Sequence, residues 1–196
     1  LTGKKKIREV ADTFYDEQIK SGIYGFVAGK MVKRAIIEEN RLRFDESIRL
    51  AEDYDFFLKV YQCIEEILFL KNTGYYYIQE TENSGIMLDD SKTDFWKQIE
   101  IQKKTKEFLK EKQCFRSKEE EIYLKRVTGY VYTLFLINSN SGYKEFCDLF
   151  ERLKGEIPQI WSGMQGFGKA CISLYDKNYK LLLFVLLKIR NLVRKV

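Results

Sequence analysis

The chain contains no histidine, so a histidine base, a histidine zinc ligand and a serine–histidine triad are all excluded within its 196 residues. Proline occurs once, at Pro158, and there is no low-complexity tract, internal repeat or heptad array. The four cysteines, Cys63, Cys114, Cys147 and Cys171, are widely spaced and form no ligand-like pair. Reduced thiols in a cytoplasmic setting are the expectation. Long apolar runs are also missing: "YVYTLFLI" and "LLLFVLL" are too short to span hydrocarbon. The opening "LTGKKKIREVADTF" is basic but lacks the sustained apolar segment of a signal peptide. A cytoplasmic location is expected, with or without peripheral membrane association. The initial leucine in place of methionine fits a trimmed chain or a fragment.

What is present is a large apolar fraction, 45%, with 13 tyrosines, 14 phenylalanines and two tryptophans. That suffices for the core of one domain, or one domain with a helical appendage. The formal charge of +5 is modest and localised. Residues 175–196 hold Lys177, Lys180, Lys188, Arg190, Arg194 and Lys195 against Asp176 alone, which accounts for the whole excess. A broad nucleic-acid surface is therefore not expected. A local basic patch is, facing an acidic membrane or keeping a terminal helix in solution.

Apolar periodicity predicts helices over 5–20, 31–40, 52–64, 93–113, 117–138, 143–154, 162–172 and 175–195. "RLRF" reads as extended, and "EILFL" (66–70) and "GYYYI" (74–78) as strands about a "KNTG" turn. "ETENSG" resembles an exposed loop.

The segment "RLAEDYDFFLKVY" sets Glu52, Asp53 and Asp55 before bulky apolar residues. On a helix, Asp53 lies at the edge of the Phe56/Phe57 face, while Glu52 and Asp55 point elsewhere. Carboxylates at a helix start are favoured as anions, so a solvated cap and a general base are both open readings. Asp53 and Asp55, two apart, diverge too far on a helix to form a metal pair. "GMQGFGKA" (163–170) approaches a phosphate-binding loop but offers Ala170 where Ser or Thr is needed, and no strand precedes it. An interhelical loop is expected there. Tyr75, Tyr76 and Tyr77, with Gln79 and Asn83, suit either a strand core or a sugar-binding wall. The tail "YKLLLFVLLKIRNLVRKV" suits core packing, an oligomer contact or an anionic lipid surface.

The order "GK", a short helix ending "EEN", "LRFDES", "AEDYDF", "YYY", "ENS" over residues 28–84 resembles the second half of the catalytic region of family 2 glycosyltransferases. The resemblance implies an α/β fold: residues 1–90 as the C-terminal half of an incomplete GT-A-like domain, and 91–196 as a mostly α-helical subdomain. It implies an inverting sugar transfer from a nucleotide-sugar donor to a glycan or lipid-linked acceptor in cell-surface polysaccharide synthesis. Asp53 takes the place of the catalytic base and Glu52 that of its companion acid. Lys30, Tyr75, Tyr77, Gln79 and Asn83 take substrate-binding places, with Gln79 where the family carries Arg or His. Mg2+ or Mn2+ would act in the complete enzyme, but only 28 residues precede Gly29, so its ligands are expected to be mostly absent from this chain. The competing expectation is a noncatalytic acceptor-binding or protein-interaction module, and a third is a basic helical membrane adaptor.

Overall fold

The computed structural model describes residues 2–71, 94–164 and 166–194, and it opens on a strand where periodicity predicts helix. The three lysines before Ile7 carry no apolar repeat, so nothing local holds them helical. Gly3 takes φ 83°, and β1 (Gly3–Lys6) pairs antiparallel with β2 (Glu66–Phe69), from Gly3 opposite Phe69 to Lys6 opposite Glu66. The Ile7 amide continues the ladder to the Glu65 carbonyl at 2.7 Å. The Glu9 carboxylate then accepts from the Lys6 amide at 2.9 Å, which closes the strand and starts α1 (Ile7–Asp12).

A break at Thr13 separates α1 from α2 (Phe14–Ser21). Gly22, at φ 67°, ends α2 by donating to the Gln18 carbonyl at 3.0 Å, a left-handed position that suits glycine. The Gln18 side-chain oxygen then accepts from the Tyr24 and Gly25 amides at 3.1 and 2.9 Å, folding the following loop back. Next come α3 (Arg34–Glu39), α4 (Glu52–Gln62) and, beyond β2, α5 (Phe95–Glu111). The Asp94 carboxylate caps α5 by accepting from Trp96 and Lys97 amides.

The chain forms two compact units, residues 1–122 and 123–196. The core of the first is aromatic. Phe14 stacks on Tyr24 at 5.0 Å and meets the edges of Phe108, Tyr54 and Tyr61 at 5.5, 5.9 and 6.1 Å. Two buried tyrosine hydroxyls are satisfied: Tyr61 donates to the Tyr24 carbonyl at 2.8 Å, and Tyr54 lies 3.0 Å from Thr105, which donates to Ile101.

The helix α6 (Ser117–Asn138) runs into the second unit, followed by α7 (Tyr143–Glu156), α8 (Pro158–Gly163), α9 (Gly166–Asp176) and α10 (Lys180–Arg194). Phe150 organises this core, stacked on Phe135 at 4.2 Å and Tyr175 at 4.4 Å, with the Trp161 edge at 5.7 Å. Pro158 sits at the first turn of α8, where its missing N–H costs nothing. The buried Gly168 allows close approach, since a Cβ there would come 2.3 Å from Met164 Sδ. "GMQGFGKA" thus joins α8 to α9, and Gly168 and Lys169 lie inside α9.

This architecture corrects the α/β expectation. Of the described residues 68% are helical, and the one sheet among them is a two-stranded antiparallel pair. A GT-A core needs parallel strands layered between helices, and β1–β2 builds no such layer or the crevice at its strand ends. The predicted strand over 74–78 and the "ETENSG" loop lie outside the described residues.

Candidate functional site

Two features collect chemically distinctive side chains, the start of α4 and the outer face of α10. At the first, Ala51 precedes the helix with φ 63°, a left-handed conformation uncommon for alanine. Asp53 Oδ2 accepts from the Val27 amide at 3.1 Å, so this acid pins the loop before α3 to the start of α4. Lys30, from the same loop, donates to the Phe26 carbonyl and holds its Nζ 4.6 Å over the Phe57 ring. Burial lowers the Lys30 pKa to about 8, against the opposing pull of the Asp53 carboxylate. Glu52 is half-buried on the first turn. The structure therefore gathers Asp53, Glu52 and Lys30 in one neighbourhood. Tyr75, Tyr77, Gln79 and Asn83 lie outside the described residues.

Asp55, expected to point away from the apolar face, is the buried acid of this helix. Its exposure is 0%, Oδ2 is 2.7 Å from Lys59 Nζ, and Oδ1 accepts from Lys104 on α5. It ties α4 to α5. The one available signal was the Asp55/Lys59 spacing of four, which makes neighbours on a helix.

Two open depressions in the first unit do not reach these residues. One, of about 520 Å³, is lined by Lys6, Arg8, Cys63, Glu65 and Lys112, among others. The second, of about 250 Å³, lies between Lys5, Thr13, Tyr24 and Phe69. Among the described residues no three Cys, Asp or Glu side chains are grouped to hold a metal ion.

The second feature is α10. Leu183, Phe184 and Leu187 are buried in the second unit, and Asn191 donates to Ser139 Oγ at 2.7 Å and to the Leu136 carbonyl. These four positions define an inner face. Leu181, Leu182, Val185, Leu186, Ile189, Leu192 and Val193 are all exposed, from 44% to 70%. With about 100° per residue, the seven fall in one outer arc about 140° wide, containing no polar side chain. Lys188 borders one side of that arc and Arg190 the other. Lys188 Nζ stands 4.5 Å over Phe184, and the Arg190 guanidinium 4.2 Å over Phe167. No helix among the described residues is long and apolar enough to cross a membrane.

The chain matches no family model, no curated protein and no solved structure. The resemblance to family 2 glycosyltransferases is thereby corrected together with the fold it implied. Helices with one antiparallel strand pair supply no nucleotide-binding α/β architecture, and no metal-ligand cluster accompanies them among the described residues. Assignment as a sugar-transferring enzyme in polysaccharide synthesis falls with it. In the structure Asp53 is the acceptor of the Val27 amide. Sequence reasoning found the basic tail but not its division into faces. Leucines occupy both sides of α10, so periodicity alone gives no orientation.

Proposed function

We propose that the chain is an interaction module that attaches peripherally to an anionic membrane surface through the outer face of α10. The observation that carries this reading is the uninterrupted arc of seven exposed apolar side chains bordered by Lys188 and Arg190. A helix of this kind lies in the plane of the interface, its apolar side in the acyl boundary and its cations at the headgroups. From Leu181 to Val193 the face is about 18 Å long at 1.5 Å per residue, which suits lying flat rather than crossing. Each lysine or arginine near an acidic surface contributes roughly 1 kcal/mol, a contribution that salt weakens. Charge also favours lipid over a second copy of the same face. No Asp or Glu occurs between Lys180 and Arg194, so two copies would bring like charges together.

Vesicle flotation of the full chain tests this. At low salt the protein should rise with vesicles of phosphatidylcholine and phosphatidylglycerol, and far less with phosphatidylcholine alone. Changing Lys188, Arg190, Arg194 and Lys195 to Gln should release it, as should Leu186→Glu. A wild-type chain that stays unbound at low salt overturns the proposal. Concentration-dependent dimerisation without vesicle binding would assign the face to self-association instead.

A further inference from the structure

The two cations bordering the outer face of α10 are not equivalent. Lys188 is an exposed point charge on a flexible stem. Arg190 is half-buried, its guanidinium 4.2 Å from the Phe167 ring of α9 and 5.6 Å from the Tyr132 ring of α6. Its Nε is buried without an acceptor. Among the described residues no carboxylate forms an ion pair with it, although Lys154, Arg152 and Lys180 of the same unit all have one. Among the described residues neither Nη atom has a hydrogen-bond acceptor, and neither is a buried unpaired atom as Nε is. A guanidinium held between two aromatic rings, beside an apolar face, has less rotational freedom to lose when a ligand arrives.

We infer that Arg190 forms a headgroup subsite, receiving the phosphodiester oxygens of an anionic phospholipid in a two-pronged hydrogen bond through Nη1 and Nη2. The inference rests on the membrane reading of α10 and adds a residue-specific site to it. Arg190 Nη1 and Nη2 are parallel donors, a fork that matches two phosphate oxygens and that an ammonium cannot reproduce. Phe167, 42% exposed, supplies both the stacking surface and an apolar wall beside the lipid chain.

The test compares conservative exchanges in the full chain, using phosphatidylcholine–phosphatidylglycerol vesicles. Arg190→Lys keeps the charge but loses the fork, and should weaken vesicle binding about fivefold, the equivalent of one net hydrogen bond. Lys188→Arg should bind like wild type. Should Arg190→Lys fail to fold, the wild-type chain still answers. Adding dihexanoyl phosphatidylglycerol should shift the Arg190 guanidinium resonances, while the same concentration of inorganic phosphate should leave them in place.

Wild-type binding by both Arg190→Lys and Lys188→Arg, with unmoved guanidinium resonances, overturns the subsite and leaves the attachment standing. Equal shifts with inorganic phosphate overturn the lipid as the ligand's source. Failure of the unmodified chain to float overturns both the attachment and the subsite.

Discussion

Asp55→Asn should be among the most damaging single-atom-scale changes on α4. The carboxylate is fully buried, and both of its oxygens are engaged by lysines, Lys59 from one turn on and Lys104 from α5. Asparagine keeps the volume but removes the charge, and turns an NH2 group toward an ammonium that it cannot accept. Breaking a buried ion pair by removing one partner typically costs about 3–5 kcal/mol. Here the orphaned lysine side chains are 32% and 43% exposed and can turn to water. The expected loss is therefore lower, about 2–3 kcal/mol, the scale of charge-assisted hydrogen bonds. Asp53→Asn should cost less, about 0.5–1.5 kcal/mol, since it weakens one partly exposed bond to the Val27 amide. Two compact units make a single global unfolding energy ill-defined, so amide exchange of α4 and α5 under increasing denaturant is the suitable readout. A loss at Asp55 within about 0.5 kcal/mol of zero, the range of ordinary surface changes, would refute its anchoring role. A larger loss at Asp53 would do the same.

The remaining predictions concern titration and reactivity. Lys30 should titrate near pH 8 by NMR of its side-chain Nζ or Cε, well below ordinary lysines, because burial disfavours its ammonium. The sign follows from linkage: between about pH 8 and the ordinary lysine value of about 10.4, the unfolded chain binds more protons at this group than the folded one. Stability contributed by Lys30 should rise through that window, and Lys30→Met should remove the rise; a midpoint above 10 contradicts the burial argument. Maleimide labelling followed by mass spectrometry should modify Cys63 first, as it is exposed. Cys114 and Cys171 should lag, being buried, with burial raising both thiols and Cys171 to about 11. Equal labelling rates in the native protein would contradict that.

The helices were more legible than the strands. Predicted helices over 117–138 and 143–154 are observed as Ser117–Asn138 and Tyr143–Glu156, because Tyr123, Val127, Val131, Leu134 and Phe135 mark one continuous face of α6. β1 was illegible because a lysine run acquires its conformation from a partner sixty or more residues away. Such pairing leaves no local periodicity to read. α8 was missed because its six residues are too few for a repeat, though Pro158 at its first turn was an available start signal.

The misleading sequence words share a physical origin. In "LRFDES", Asp45 accepts from the Ser47 amide at 3.0 Å and from its hydroxyl, a local turn that lowers the Asp45 pKa. In "AEDYDF", the acids begin a helix, one taking a loop amide and another two lysines. Turn and helix-start chemistry of this sort arises wherever a loop feeds an amphipathic helix, so a succession of such words specifies local geometry without specifying the sheet behind it.

The opposite holds for α10, where "LLLFVLL" is apolar on every side and names no geometry. A helix apolar all round is ordinarily enclosed on all sides. Phe184, Leu187 and Asn191 settle only the inner side. Enclosing the outer side with protein would require a partner whose surface is apolar at its centre and acidic at both margins, to meet Lys188 and Arg190. An anionic bilayer has that arrangement at any point on its surface, with headgroup phosphates lying directly above acyl chains. The helix needs no particular partner residue to satisfy both its face and its margins there. That is why its binding should follow lipid charge and salt, and why changing apolar Leu186 to Glu should be as disabling as removing the cations.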